Sequence, residues 1–351
     1  MPADSGQPVG GGAAVGGGSA GGGTGGGSSS TGGGSSTGGG AGSTTCPAPS
    51  GGATPTNLVT GIVDGASKVM VAIAADDDFI YYSTGPNAGE IGKVPIDGGN
   101  KIVIGTTNNI SGTGPGRTLY VEGATAYWTA TGIWSVSTGG GMPSQLTGLD
   151  ENASLVIDGG TLYFAGGPPT ALGIRAMPTT GGTSTVLIPN VGAALFTDGP
   201  ALYWGAGHAL HSGPVGGTSE AAFYTGASGP SYGVVAVGGA MAFFNSEDLT
   251  ANNFAGTDTL LGVSVDGGAP TTFLTCPLGT GSYTHAVFAN GNLYVVYSAT
   301  IGGQPGIVKF APSGGSGQTI AVSPHGVAGL IARGTRLYFA TTNGTIASVP
   351  Q

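Results

Sequence analysis

From residue 54 onward, short apolar runs alternate with turns rich in glycine, proline, asparagine and aspartate. The stretch 155–189 shows the pattern most plainly. Leu155-Val156-Ile157 predicts a strand, Asp158-Gly159-Gly160 a tight turn, and Thr161-Leu162-Tyr163-Phe164 a return strand. A loop at Gly166-Gly167-Pro168-Pro169 leads to a third strand, Ile174 to Pro178. Gly181-Gly182 then turns the chain into a fourth, Ser184 to Ile188. Four short antiparallel strands in about 40 residues make one blade of a β-propeller.

The unit recurs. A second-strand aromatic stands at Tyr81, Tyr127, Tyr163, Tyr203, Tyr294 and Tyr338, with Ala242 assigned to that place in unit five. A second large residue usually follows: Tyr82, Trp128, Phe164, Trp204, Phe243, Val295 and Phe339. Third strands read Ile-x-x-Val-Pro or a relative, as at Ile91 to Pro95 and Ile346 to Pro350, and most precede a glycine pair. Helical periodicity is absent, and glycine at this density disfavours helices. Small first-strand residues (Ala72, Ala74, Ala236, Ala286, Ala289, Ala328, Ala332) suit the crowded axis of a propeller, with aromatics one strand farther out.

Seven units are counted, and the seventh lacks a fourth strand. Gly51-Gly52-Ala53-Thr54-Pro55-Thr56-Asn57-Leu58-Val59-Thr60-Gly61 resembles the stretch from Gly140 to Gly148 and predicts the missing strand. The expected fold is all-β: a seven-bladed propeller over 51–351 of four-stranded antiparallel blades. Blade 7 comprises 329–351 plus the N-terminal strand 54–61, which closes the ring.

These repeats resemble the bacterial extracytoplasmic propellers related to the YWTD, NHL and TolB-like groups. The resemblance rests on Tyr127-Trp128-Thr129, Leu202-Tyr203-Trp204, Leu162-Tyr163-Phe164 and Leu337-Tyr338-Phe339, followed by the Ile-x-x-Val-Pro and Gly-Gly elements. Ala130 stands where the acid of a YWTD motif belongs, and the blade count is seven against that group's six. The tail resembles the tether of exported lipoproteins, without the lipidated cysteine ahead of it.

Composition adds the setting. Of 351 residues 75 are glycine and 7% are charged, far below the roughly one quarter of an ordinary domain, which points to a secreted or surface protein. Residues 1–50 are Gly/Ser/Thr runs without an apolar pattern, hence a disordered linker. A net charge of −9 with eight Lys and Arg argues against nucleic acid and against an anionic membrane surface. No apolar run reaches transmembrane length. Met1-Pro2-Ala3-Asp4 lacks the features of a signal peptide, which taken literally places the chain in the cytoplasm. Its composition instead predicts an extracytoplasmic chain, secreted or tethered at the cell surface, with its export signal upstream. Cys46 and Cys276 allow one disulfide or two separate thiols.

Candidate chemistry is sparse. The longest insertion, Asn245 to Thr259, carries Glu247, Asp248, Asn252, Asn253 and Asp258, oxygen donors of the type Ca²⁺ takes, though without an EF-hand spacing. These five are the candidate binding residues; a solvated acidic loop is the alternative. Asn108 to Gly116 is a second long loop able to shape the channel mouth. Asp76-Asp77-Asp78 falls at a hairpin turn on the opposite face. His208 and His211 flank one strand on opposite faces, a poor metal pair. His285 and His325 begin or precede first strands of adjacent units and are the candidate catalytic residues, a placement similar to that of the histidine in seven-bladed streptogramin lyases. Three readings follow. The first is a non-enzymatic, monomeric binding propeller for a protein or glycan partner. The second is a lyase or hydrolase using His285 or His325, and the third a structural surface module.

Overall fold

The predicted runs pair in register into seven separate four-stranded antiparallel sheets. The computed structural model describes residues 49–63, 68–86, 89–107, 119–148, 154–167, 172–191, 195–226, 231–247, 257–277, 282–298 and 304–351. The expected disordered linker lies outside them, apart from its last two residues. Among the described residues there is no helix. Blades 1 to 6 are continuous in sequence, spanning 68–107, 119–147, 155–189, 196–225, 231–277 and 282–322.

Blade 7 is split. Its first three strands are Val327–Arg333, Arg336–Thr341 and Ile346–Pro350, and its outermost strand is Thr56–Val59 from the other end of the chain. Thr56 pairs with Ser348, Asn57 with Ala347 and Val59 with Ile346. The expected closure is therefore present, with a strand two residues shorter at each end and a blade that starts at Val327 instead of residue 329.

Core clusters run between neighbouring blades, because each blade buries both faces of its sheet. One cluster joins Tyr127 and Ile133 of blade 2 to Leu155, Phe164 and Ile174 of blade 3 and Leu202 and Trp204 of blade 4. Phe243 of blade 5 stacks on Phe288 of blade 6 at 5.5 Å between ring centroids. The register corrects one assignment. Ala236 pairs with Phe243 as Val156 pairs with Tyr163, so Phe243, not Ala242, fills the second-strand aromatic position of blade 5, and Phe244 follows it.

A feature of the outer strands escaped the alternation pattern. In each blade the register slips by one residue between the third and fourth strands, leaving an extra residue on the fourth. Those residues are Leu58, Ile104, Leu146, Leu187, Phe223, Phe273 and Ile320, all large and apolar.

The glycine pairs do more than turn the chain. The Gly99 N–H donates to the Leu58 carbonyl of the preceding blade at 3.3 Å, and Gly141 to that of Ile104 at 3.1 Å. A Cβ on Gly98 would stand 3.1 Å from the Leu58 oxygen, and one on Gly267 3.0 Å from that of Phe223. Positive φ at these glycines (94° and 92°) and close approach to the neighbouring bulge both exclude a side chain. In the split blade no chain links third and fourth strands, yet Gly51-Gly52 arrives from the other side. Gly52 (φ 85°) lies against the Ile320 carbonyl, to which Ala53 N–H donates at 2.7 Å. The rim is thus stitched across the split.

Candidate functional site

In every blade the connections from second to third strand and from outermost strand to the next blade lie at one end, the loop face. The short hairpin turns lie at the other, the turn face. This division follows from four-stranded up-and-down topology.

On the loop face, blade 5 carries the candidate acidic residues. Its second strand ends at Glu247, its third strand is Thr257–Ser264 and its outermost is Thr271–Pro277. Pairing sets Glu247 opposite Asp258, and Asp258 opposite Cys276, in one row across the sheet. The pairing places these three residues at adjacent register positions on the loop-face end of blade 5. Asp248, Asn252 and Asn253 lie outside the described residues, as do the Glu247 side chain and the loop Asn108 to Gly116.

The row meets blade 6. Tyr283, on the innermost strand Ser282–Ala289, donates its hydroxyl to the Asp258 carbonyl at 3.0 Å and stacks on Tyr297 at 6.0 Å. Burial, and then the Asp258 charge, hold the Tyr283 hydroxyl far above its ordinary range; burial pushes Tyr297 up to about 12. Both are thus neutral hydrogen-bonding groups at physiological pH. Cys276 is completely buried and disulfide-bonded. Among the described residues no group of three or more His, Cys, Asp or Glu is arranged to hold a metal.

Of the two candidate histidines, only His285 is bonded to the innermost strand of blade 7, at its first residue Val327. His285 is half-buried and hydrogen-bonded to the Val327 backbone; burial pushes it down to about 4, so the ring is neutral at pH 7. His325 is exposed two residues before Val327, in a turn where Ser323 Oγ accepts its N–H at 3.3 Å and donates to its carbonyl at 2.8 Å. A bulge between Tyr283 and His285 re-aims the His285 side chain. Aligning blades by their ladders gives Ala72, Ser154, Gly233 and Gly329 at the equivalent place. His285 is the bulky exception among the described copies.

His208 is exposed in a turn. His211 stacks on Trp204 at 5.9 Å, with Glu220 3.5 Å from its Nδ1.

The turn face extends the equivalence of the Asp76, Asp158 and Asp198 turns to a fourth acid, Glu122. The residue at the end of the inner strand, five before the second-strand aromatic, is Asp76 (just past the strand), Glu122, Asp158 and Asp198 in blades 1 to 4, then Gly238, Ala289 and Arg333. That five-residue spacing was the available signal. Asp76 behaves as turn chemistry should. Its carboxylate accepts the N–H groups of Asp78 (2.9 Å) and Phe79 (2.7 Å) and the Tyr81 hydroxyl (2.7 Å). Burial raises Asp198 above the usual carboxylate range. Arg333 pairs with Asp77, tying blade 7 to blade 1.

No family model and no curated protein matches the chain. Solved structures do. Virginiamycin B lyase from Staphylococcus aureus matches with a TM-score of 0.60 at 14% identity, over 85% of this chain and 98% of that one. A catalytically inactive histidine-to-alanine variant of that lyase, solved with quinupristin, matches at 0.58. The fold is a seven-bladed propeller. The extracellular domain of a putative one-component system from B. thetaiotaomicron also matches, with a TM-score of 0.58 at 11% identity, over 84% of this chain and 40% of that one. Identities this low speak for the architecture alone.

Proposed function

We propose that this chain is an exported or cell-surface propeller that binds a protein or glycan partner through the loop face of blade 5, without catalysis. The observation that carries this reading is the row Glu247–Asp258–Cys276, which sets two acidic residues side by side at the root of the longest insertion. Asp248, Asn252 and Asn253 complete the candidate surface, and Ca²⁺ is the cation their oxygens would suit. The Gly/Ser/Thr-rich linker supports a tethered module, as does likeness to an extracellular domain. The test is binding of the full chain to a glycan array and to cell-surface protein extract, with and without Ca²⁺. Glu247→Ala with Asp258→Ala should weaken the bound signal tenfold or more. Unchanged binding by the double variant would remove the blade 5 assignment, and no binding by the parent chain would favour the structural-module reading.

A second reading is favoured by one observation. His285 is a neutral imidazole at a position where the other described blades place Ala, Ser or Gly, and a structural neighbour is a lyase that loses activity with a histidine. Turnover of quinupristin lost in His285→Ala, with His325→Ala as companion, would establish it. The occupied hydrogen bond from His285 to Val327 supports the structural role first.

A further inference from the structure

Cys276 is disulfide-bonded, and the sequence contains one other cysteine, Cys46. The first described residues show where the chain comes from. Pro49 lies so close over Gly306 that a Cβ there would overlap its ring. Gly306 is the cross-strand partner of Tyr297, whose hydroxyl stands 3.9 Å from Cys276 Sγ; the Tyr283 hydroxyl stands 3.5 Å from the same sulfur. Cys46 stands three positions before Pro49, a reach of about 10 Å. After Pro49 the chain follows the outer flank of blade 6, where Ala53 bonds to Ile320, before entering blade 7 as the closing strand.

We infer that Cys46 is bonded to Cys276, and that this bond makes residues 46–53 a covalent strap from blade 5 across blade 6 to blade 7. Pull on the linker then enters the fully buried core around Cys276 instead of the four-residue closing strand, which alone would peel one hydrogen-bonded pair at a time. The strap also roots the linker beside Asp258, so tether and candidate binding loop share a rim. Forming the bond takes two protons and two electrons from two thiols, accepted by a disulfide oxidant that becomes a dithiol. Such oxidants belong to extracytoplasmic compartments, and in that respect the inference rests on the exported reading.

The test separates the two. Purified full chain, reduced and then reoxidised with glutathione disulfide, is unfolded with an alkylating agent and weighed. Expected are a monomer that takes up no alkyl group and a linked peptide joining Cys46 to Cys276. A free Cys276 thiol, glutathione on Cys46 or a reducible dimer would overturn the strap, whereas free thiols in chain taken directly from cells would count against export alone. In a second measurement the chain is pulled between its N-terminus and Gln351. The oxidised chain should show no early low-force release of residues 49–61, and reduced or Cys46→Ser chain should show it first. Early release from the oxidised chain would overturn the load-bearing role.

Discussion

Blades 3 and 7 are built from the same positions by different routes. Blade 3 is continuous, and its third and fourth strands are joined by Gly181-Gly182. In blade 7 the corresponding junction is a gap in the chain, crossed by strand pairing, by Gly52 against Ile320 and by Leu58 as the bulge residue. Ile174 and Ile346, near the start of the two third strands, are both completely buried. The comparison teaches that a blade is defined by its interfaces and not by its connectivity: the ladder, the bulge and the glycine stitch all survive the break.

Removing residues 51–61 is the severest test. It exposes the edge of Ile346–Pro350, strips Leu58 and Val59 from the cluster of Ile62, Ile346 and Tyr338, and opens the ring. Both side chains are half-buried, so the two together account for about 2–3 kcal/mol. The chain should melt more than 10 °C lower by circular dichroism, and the synthetic peptide 49–61 added in trans should restore part of the loss. The same peptide should leave the parent chain unchanged.

Ile346→Ala and Ile174→Ala sharpen the comparison. Each removes a fully buried side chain and should cost about 2–5 kcal/mol in urea unfolding. A much smaller loss at Ile346 would mean that the split blade is packed more loosely than the continuous one.

The blade seams differ in chemistry. Ser154 of blade 3 donates to the Leu195 carbonyl of blade 4 at 3.2 Å, while His285 of blade 6 is bonded to the backbone of Val327 in blade 7. A serine hydroxyl does not titrate. Burial lowers His285 from 6.5 to about 4, so between these values the unfolded chain binds the proton and the folded chain does not. Stability should therefore fall as pH drops from about 6.5 to 4 and level off below, by about 3 kcal/mol in all. His285→Ser should flatten that slope in urea titrations run across the window; an unaltered slope would place the titrating group elsewhere.

Gly52→Ala and Gly182→Ala make the finest distinction. Both glycines have positive φ, 85° and 122°, so both variants carry backbone strain of about 1 kcal/mol or more. At Gly182 a Cβ meets nothing within 4 Å, but at Gly52 it would fall 2.5 Å from the Ile320 oxygen. Gly52→Ala should be the costlier by about 1–2 kcal/mol, measured as the shift in urea midpoint at constant slope.

The blades and their closure were legible because turn residues and a repeated Tyr-aromatic pair punctuate the chain at every level. The misassignment at Ala242 has a plain cause. Ala242 and Phe243 were aligned on the size of the second residue, whereas the ladder counts from the turn at Gly239-Ala240. The outer-strand bulges were hidden because one extra residue breaks the alternation that would reveal it. For the candidate site, clustered oxygen donors pointed to the blade 5 insertion, and pairing then brought Glu247 and Asp258 together. His285 and His325 were placed near one mouth by blade order. The bond from His285 to Val327 depends on how two blades pack, which no local pattern encodes.

The outer bulges have a consequence for how copies of this chain meet one another. A seven-bladed propeller presents seven unpaired strand edges to solvent, and the edge Ile102–Thr107 exposes Ile102 and Val103 by nearly half. Flat edges of that kind template pairing with other chains and seed aggregation. The extra residue on each outer strand interrupts the ladder and increases its twist, so no edge offers a long, regular set of donors and acceptors. Seven large apolar residues thus stand where the ladder of each outer strand is interrupted.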